Sequence, residues 1–316
     1  MEYRNLGRSG LIVSAVGLGC NNFGGRTDRE TSVKVIHKSL DMGVTLLDTA
    51  DMYAERGNSE RVLGETLGAR RKDIVLATKF AAPMDDEGRL RGASRGYIIS
   101  AVEASLTRLK TDWIDLYQLH FPDPRTPIEE TLRALDDLVR QGKVRYIGCS
   151  NLSAWRVTEA LWTSKSLGLE SFASVQEEYS LIVRDVERDM MPMAEEYGLG
   201  ILPYFPLASG LLTGKYKRGE PAPAGSRFAI SQPLADKCWT DRNAERAEAF
   251  RAIAEANGFS LLELAFSWLL SRPQISSVIA GASRPEQIEQ NVAAAGRSLD
   301  QEMLSAVDEA YKAASG

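Results

Sequence analysis

Short apolar runs alternate with amphipathic stretches along most of the chain. The runs lie near Val16, Leu46, Val75, Leu116, Ile147, Val175, Ile201 and Val278. Between them, apolar residues recur at helical spacing, as in residues 98–109 and 128–139. Strands that alternate with helices build either an open doubly wound sheet or a closed barrel. Eight repeats favour the barrel, so we expect an α/β fold, a (β/α)8 TIM barrel, formed by residues 1–316 as a single domain.

Three segments add detail to this pattern. Residues 4–11 contain Gly7 and Gly10 and predict a small N-terminal β-hairpin. Residues 205–241 are rich in Gly, Pro, Lys and Arg and predict a long loop after strand 7 of the barrel. Because barrel active sites lie at the C-terminal ends of the strands, we expect this loop to form a lid. Residues 283–286 have capping-box spacing with an early proline and predict a helix start there.

Composition and charge are those of an ordinary globular enzyme, with 44% hydrophobic and 26% charged residues. The formal net charge is −5 and there is no long basic run, so nucleic acid is not an expected partner. No apolar stretch has the length of a membrane span, and we expect a cytoplasmic protein without membrane association. Cys20, Cys149 and Cys238 lack the close spacing of a disulfide framework or zinc site, which predicts reduced thiols and no metal.

Four residues suited to acid–base chemistry follow three successive apolar runs. Asp48 and Tyr53 follow the first run, Lys79 follows the second, and His120 follows the third. Because parallel strands of a barrel end at the same face, we expect these side chains to converge. Tyr53 can protonate a carbonyl oxygen, and an adjacent Lys79 ammonium would lower the pKa of its phenol. Asp48 would hold Lys79 charged, while His120 would position the substrate oxygen, an arrangement that suits carbonyl reduction.

Each of the four residues also has an ordinary structural explanation when taken alone. Tyrosines pack at barrel ends, a strand-end aspartate caps the next helix, and most lysines are solvated. The coincidence of all four at three neighbouring strand ends favours function. The surrounding segments DTADMY (48–53), ATK (77–79) and DLYQLH (115–120) resemble the tetrad segments of the aldo-keto reductase superfamily. The resemblance covers nearly the whole chain.

The resemblance implies a (β/α)8 barrel that uses NADPH to reduce aldehydes or ketones, with Tyr53 as general acid in a tetrad with Asp48, Lys79 and His120. It also implies a cofactor site along the strand ends. Residues implied for the nicotinamide end are Ser150, Asn151, Gln176 and Tyr204, the last stacking on the ring. Gly19, Cys20 and Asn22, at the rim of the first strand, and Asp48 are also expected in the cofactor site. The pyrophosphate-covering loop is implied to be residues 207–215, with Leu207, Ser209, Gly210, Leu212 and Lys215 in the cofactor site and Lys215 and Arg227 as phosphate or ribose contacts. Phe205 and Pro206, just before this loop, are also expected in the cofactor site.

The adenosine end of the cofactor is implied to lie against a last group of residues. These are Gly281, Ser283, Arg284, Gln287, Gln290 and Asn291. A helix N-terminus beside Ser283 and Arg284 suits a 2′-phosphate and favours NADPH. Many relatives carry Lys where Gly281 stands and Arg where Gln287 stands, which leaves NAD as the less expected alternative.

Two nucleotide-binding motifs are only partly present. Residues 207–215 nearly form a P-loop, but three residues separate Gly210 from Gly214 and Tyr216 follows the lysine, which excludes a nucleoside triphosphatase. Residues 17–19 are a fragment of a Rossmann fingerprint, because the third glycine and the helix are missing.

A small carbonyl compound is the expected substrate, with no particular identity or oligomeric state predicted. The pocket residues expected are Phe23, Met52, Phe80, Phe121 and Trp239. The alternative function is that of a cofactor-binding regulatory subunit resembling potassium-channel β-subunits, which share the fold and tetrad. A metal-dependent barrel hydrolase would need more ligands than the sequence offers.

Overall fold

An antiparallel hairpin opens the computed structural model, which describes residues 1–313. Its strands are β1 (Tyr3–Asn5) and β2 (Ile12–Ser14), where the sequence predicts a hairpin. Gly7 has a φ of +58°, and a Cβ at this position would lie 2.4 Å from the carbonyl oxygen of Gly198. Leu6 and Val13 pack with Leu46 and other apolar residues inside the barrel. The hairpin therefore closes the N-terminal end of the barrel.

Eight parallel strands form the barrel, which confirms the predicted fold. They are β3 (Val16–Gly19), β4 (Leu46–Asp48), β5 (Val75–Phe80), β6 (Ile114–Leu119), β7 (Val144–Ser150), β8 (Phe172–Glu178), β9 (Gly200–Tyr204) and β10 (Val278–Gly281). Their order around the sheet is β10-β3-β4-β5-β6-β7-β8-β9. The seam between β9 and β10 is closed by two backbone hydrogen bonds, in which Ile201 donates to Gln274 (2.8 Å) and accepts from Ser276 (3.1 Å).

Helices cover the outside of the barrel and extend to the end of the described chain. They are α1 (Arg29–Asp41), α2 (Tyr53–Leu67), α3 (Arg95–Leu109), α4 (Ile128–Arg140), α5 (Ala154–Leu167), α6 (Met190–Tyr197), α7 (Arg227–Ile230), α8 (Gln232–Cys238), α9 (Asp241–Ala256), α10 (Leu261–Leu270), α11 (Pro285–Ala294) and α12 (Gln301–Ala313). Within residues 1–313, no helix combines the length and apolarity needed to cross a membrane.

The start of α11 differs from the predicted capping box. Arg284, which precedes Pro285, is extended with a φ of −155°, because a residue before proline is disfavoured in the helical region. The helix therefore begins one residue later than the spacing predicts. Gln287, not Glu286, reaches back, and its Oε1 accepts hydrogen bonds from the backbone N–H (2.7 Å) and the hydroxyl (3.2 Å) of Ser283.

The segment after β9 is more ordered than the predicted loop. It contains a 3-10 helix at Ala208–Thr213 and the short helices α7 and α8. The rings of Tyr216, Phe228 and Trp239 pack together with centroid distances of 4.5 to 5.8 Å. This segment is therefore a packed unit with its own aromatic centre, and its role as a lid stays a prediction.

A polar cluster lies at the N-terminal ends of β6 and β7, away from the chemistry-bearing strand ends. The Trp113 ring is within 4.7 Å of two guanidinium groups, those of Arg71 and Arg145. Both arginines also pair with buried Asp115 at 2.7 Å. Charged hydrogen bonds and cation–π contacts thus tie neighbouring strands together at this end.

We expect Gly64→Ala to destabilise the fold, because α2 and α3 approach closely at this residue. A Cβ at Gly64 would lie 2.3 Å from the backbone oxygen of Arg108, so the helices must move apart. Overpacking of this kind costs about 1–3 kcal/mol. Chemical denaturation measures the loss of unfolding free energy.

Gly96→Ala in α3 is the matched control, since a Cβ there meets no atom within 4 Å. Its stability should stay the same or rise by up to about 1 kcal/mol through helix propensity. Equal stability of the two variants would contradict the close-approach explanation.

Candidate active site

A buried ion pair lies at the C-terminal end of the barrel. Lys79, the fifth residue of β5, is fully buried, and its Nζ lies 2.5 Å from Oδ1 of Asp48 at the end of β4. The same Nζ donates to the backbone oxygen of Thr49 at 2.9 Å and to the hydroxyl of Tyr53 at 3.3 Å. The three donated hydrogen bonds fix the ammonium between the carboxylate and the phenol.

His120 completes the group of four side chains expected to converge. It follows β6 and is 6% exposed, with its ring edge-on to that of Tyr53 at a centroid distance of 5.7 Å. The Phe121 ring stacks on the imidazole at a centroid distance of 4.3 Å. The structure thus brings Asp48, Tyr53, Lys79 and His120 together at one end of the barrel.

Burial and charge set the protonation states of these groups. Burial lowers the pKa of Lys79, but the Asp48 carboxylate and Tyr53 raise it, and the net result lies above the ordinary value. Burial, followed by the charge of Lys79, lowers the pKa of His120 to about 2. At neutral pH the site therefore holds an ammonium and an uncharged imidazole.

The expected lowering of the Tyr53 pKa is wrong in its net direction. Burial raises this pKa, and the opposing effect of the Lys79 ammonium is smaller, so the pKa lies above its ordinary value. The lysine limits the effect of burial without reversing it. The phenol is consequently protonated at neutral pH, the state that a proton donor requires.

Two glutamine amides hold the second oxygen of Asp48. Gln118 Nε2 donates to Asp48 Oδ2 at 3.1 Å, and Gln176 Nε2 donates to the same oxygen at 2.9 Å. Gln176 is among the residues implied by the resemblance, whereas Gln118 is absent from that set. Gln118 lies on β6 two residues before His120, and this spacing could have identified it, because alternate residues of a strand share a face.

A connected group of polar side chains lies beside His120. Asn151, with a left-handed φ of +59°, donates to the backbone oxygen of His120 at 3.0 Å and accepts from the Tyr204 hydroxyl at 2.7 Å. Ser150 donates to the backbone oxygen of Gln176 at 2.7 Å. Three amide- and hydroxyl-bearing residues and an aromatic ring implied for the nicotinamide end therefore lie close together.

The first and last strands of the barrel meet at small residues. Gly19 pairs with Asp48 on one side and with Gly281 on the other. Asn22 Nδ2 donates to Thr27 Oγ1 (2.6 Å) and to the backbone oxygen of Ala282 (3.0 Å), which joins the segments after β3 and β10. Cys20 is fully buried, and this burial raises the pKa of its thiol well above the ordinary value. Its thiol is therefore neutral.

The segment after β9 brings positive charge next to the strand ends. Arg227 lies half-buried over the ring of Phe205, 5.7 Å from its centroid. Burial lowers its pKa, and the nearby Arg26 guanidinium lowers it further. No ion pair joins either arginine to a carboxylate in the part of the chain that the structure describes. Two neighbouring cations without such counter-ions suit a phosphate-bearing ligand.

The remaining residues of this segment that are implied for the cofactor follow β9 directly. Pro206, Ser209 and Leu212 are buried, Leu207 and Gly210 are partly exposed, and Lys215 is exposed. Lys215 Nζ lies 5.1 Å from the ring centroid of Tyr216, and Ser209 Oγ accepts from the Cys238 thiol at 3.8 Å. The last contact links the 3-10 helix to α8.

The residues implied for the adenosine end lie at the end of β10 and along α11. Gly281, Ser283, Arg284 and Gln290 are exposed, Gln287 is partly exposed, and Asn291 is buried. Arg284 Nε lies 3.9 Å from Oε2 of Glu286, and both side chains are 64% exposed. This loose surface pair leaves the guanidinium accessible.

The five residues expected to line the substrate pocket separate into two groups. Met52 and Trp239 are partly exposed, and Phe121 is 39% exposed beside His120. Phe23 and Phe80 are fully buried in the core, and Phe80 packs on Tyr117 at 4.8 Å, so the structure does not support a substrate contact for them. Phe80 follows inward-facing Lys79 and therefore faces the surrounding helices.

Left-handed backbone at residues other than glycine is concentrated near this site. Such residues are Ala54, Glu55, Arg56, Ala81, Asn151, Phe205, Ala208 and Ser209, with Lys110 as the single exception elsewhere in residues 1–313. Each conformation of this kind costs free energy and persists only where the surroundings enforce it. Because of the left-handed run after Tyr53, the regular helical geometry of α2 begins only after Gly57, at Asn58.

A further acidic residue is buried just before Tyr53. Asp51 is 1% exposed, and burial followed by the nearby Glu60 carboxylate raises its pKa to about 8. Asp51 is therefore largely protonated at neutral pH. Among residues 1–313, no group of three or more His, Cys, Asp or Glu side chains is arranged to hold a metal ion.

Comparison with known proteins agrees with the fold. The model of the Aldo/keto reductase family matches residues 15–312. A probable voltage-gated potassium channel subunit beta from Arabidopsis thaliana is 38% identical over 303 residues, covering 93% of this chain and 91% of the relative. Uncharacterized oxidoreductase YrpG from Bacillus subtilis (strain 168) is 35% identical over 326 residues, covering 100% and 98%. The family match includes every barrel strand that carries a site residue.

We expect Asp51→Asn to flatten the pH dependence of stability. Because the pKa of Asp51 is higher in the folded chain than in the unfolded chain, the folded state holds an extra proton between pH values of about 4 and 8. Stability therefore falls as pH rises through this window, by at most about 1.4 kcal/mol per pH unit from this group. Chemical denaturation at pH values of about 5 and 7.5 measures the difference.

The variant should lose less unfolding free energy than the wild type between these two pH values. Asp112→Asn, at an exposed site, is the control. A pH dependence that is the same in Asp51→Asn and wild type would contradict the raised pKa.

Proposed function

The chain belongs to the aldo/keto reductase family, and we propose that it is an NADPH-dependent reductase that converts aldehydes or ketones to alcohols. The observation that carries the proposal is the Tyr53 hydroxyl, protonated and 3.3 Å from the Lys79 ammonium. A proton donor beside a fixed positive charge suits an oxygen that gains negative charge during reduction. Relatives named as oxidoreductases, including YqkF of Bacillus subtilis (strain 168) at 36% identity, support the same class.

The residues along the strand ends fit a dinucleotide. Arg227 and Arg26 supply positive charge for the phosphates. Asn151 and Gln176 supply amides that suit the nicotinamide carboxamide, and Tyr204 supplies a ring for stacking. When bound, NADPH would provide the hydride for the carbonyl carbon.

The protein side of the reaction follows from the arrangement of the four side chains. Tyr53 transfers its hydroxyl proton to the substrate oxygen as that oxygen becomes an alkoxide. Lys79 stabilises the phenolate that remains, and Asp48 holds Lys79 in place. Neutral His120 carries one ring N–H, which can donate to the same substrate oxygen. Reduction uses the protonated phenol of Tyr53, whereas oxidation of an alcohol would need the phenolate as base.

A regulatory subunit is the second candidate, because relatives named as probable potassium channel β-subunits are 38–39% identical to this chain. Such a subunit could bind NADPH through the same residues. The two functions differ in whether the wild-type protein turns over carbonyl compounds repeatedly. Binding of NADPH without such turnover would favour the regulatory role.

We predict that Tyr53→Phe abolishes most of the carbonyl reduction. The variant keeps the aromatic ring but loses the proton donor, and kcat should fall by roughly 10²–10⁴-fold. Steady-state assays with NADPH and a panel of aldehydes, ketones and sugar-derived carbonyls measure the loss. NADPH affinity, measured by fluorescence titration, should change little.

Tyr197→Phe is the matched control, because this tyrosine is exposed on α6 and contacts Trp162 at 3.0 Å, away from the tetrad. Its activity should equal that of the wild type. Undiminished reduction by Tyr53→Phe would show that another group donates the proton.

We predict that Arg284→Ala reduces the preference for NADPH over NADH. The exposed guanidinium at the start of α11 would lose its ion pair with the 2′-phosphate, and the Michaelis constant for NADPH should rise by roughly tenfold. The Michaelis constant for NADH should stay unchanged. Arg133→Ala, on the exposed face of α4, controls for loss of charge alone. An unchanged cofactor preference would remove Arg284 from the phosphate site.

A further inference from the structure

Gln118 lies inside the barrel on β6, where it pairs with Lys79 of β5, but within residues 1–313 its side chain forms no hydrogen bond with Lys79 or Tyr53. It is fully buried on β6, and its Nε2 donates to Asp48 Oδ2 at 3.1 Å. Its Oε1 accepts from Gln176 Nε2 at 3.4 Å. We propose that Gln118 is a positioning residue that fixes the amide orientation of Gln176 and thereby makes the site specific for the nicotinamide carboxamide. This inference rests on the proposed NADPH-dependent function.

The charge of Asp48 determines how both amides must face. A carboxylate accepts hydrogen bonds and donates none, so each glutamine must direct its N–H₂ group towards Asp48. With its N–H₂ on Asp48, Gln118 presents its carbonyl oxygen to Gln176. The N–H₂ group of Gln176 then serves both neighbours, Asp48 at 2.9 Å and Gln118 at 3.4 Å.

One polar atom of the Gln176 side chain remains available to a ligand. No hydrogen bond to its Oε1 is present among residues 1–313, whereas its Nε2 is shared by two acceptors. A carbonyl oxygen accepts from the N–H₂ group of a carboxamide. The orientation that Asp48 and Gln118 enforce together thus matches the carboxamide of a nicotinamide ring and does not match a ring substituent without an N–H donor.

Loss of Gln118 would weaken the fit between Gln176 and the carboxamide but would leave the ion pair of Lys79 and Asp48 in place. Lys79 Nζ binds the other oxygen of Asp48, and Gln176 can still donate to Oδ2. Without the carbonyl of Gln118, however, the Gln176 amide loses one of the two acceptors that define its orientation. The effect should therefore depend on whether the cofactor carries a carboxamide N–H₂ group.

The test compares two cofactors on one variant. Gln118→Met keeps the length of the side chain and removes both polar groups. Fluorescence titration gives dissociation constants for NADP⁺ and for its 3-acetylpyridine analogue, in which a methyl ketone replaces the carboxamide. We expect the affinity for NADP⁺ to fall by about tenfold, as for one lost hydrogen bond, and the affinity for the analogue to change less than about twofold.

Three further variants keep the result interpretable. Leu116→Met alters another buried residue of β6 on the same face, within the apolar cluster, and should leave both affinities unchanged. Gln118→Glu should retain the preference for NADP⁺, because a protonated carboxyl donates to Asp48 and still accepts from Gln176. Gln118→Leu, which also lacks both polar groups, tests the same prediction if Gln118→Met does not fold.

Equal weakening of both cofactors, or no change in either, would overturn the positioning role of Gln118. Loss of the preference in Gln118→Glu would also overturn it. Failure of the wild-type protein to bind NADP⁺ at all would instead refute the proposed function, and the inference with it. If the wild type binds NADP⁺ and Gln118→Met binds both cofactors with the wild-type affinities, the inference alone is refuted.

Discussion

The buried pair of Lys79 and Asp48 is the interaction on which the chemistry of this barrel depends. Two charges removed from water cost free energy that their mutual attraction offsets only with good geometry and further hydrogen bonds. Here the ammonium also reaches the backbone oxygen of Thr49, and the carboxylate receives two amides. The pair therefore requires a closed barrel whose interior polar groups are already placed before any ligand binds.

The two ends of the barrel meet different physical demands. At the N-terminal end, the hairpin fills the interior with apolar side chains, and Asp115 joins neighbouring strands through two arginines. At the C-terminal end, polar side chains face one another and the backbone adopts strained conformations. Free energy gained by packing at the N-terminal end can offset the cost of strained backbone at the C-terminal end. An α/β barrel thus keeps its stabilising contacts and its reactive groups at opposite ends.

The fold and the convergence of Asp48, Tyr53, Lys79 and His120 follow from periodicity, since parallel strands end at a common face. Strand alternation would also have shown that Phe80 faces away from Lys79 and that Gln118 shares the inward face of His120. The net pKa shift of Tyr53 could not be inferred from neighbours along the chain, because burial depends on the whole barrel. The contact of Gln287 with Ser283 depends on where Pro285 allows the helix to begin.

The left-handed run after Tyr53 restricts this chain in a way that its acid–base chemistry does not reveal. Ala54, Glu55 and Arg56 have φ values between +51° and +60°, where β-branched side chains are strongly disfavoured. Glycine, asparagine or aspartate fit this geometry more easily. Substitutions at positions 54–56 are therefore restricted to residues that tolerate a positive φ, even though none of these side chains takes part in the reaction. In a sequence alignment, this steric restriction would look like conservation for function.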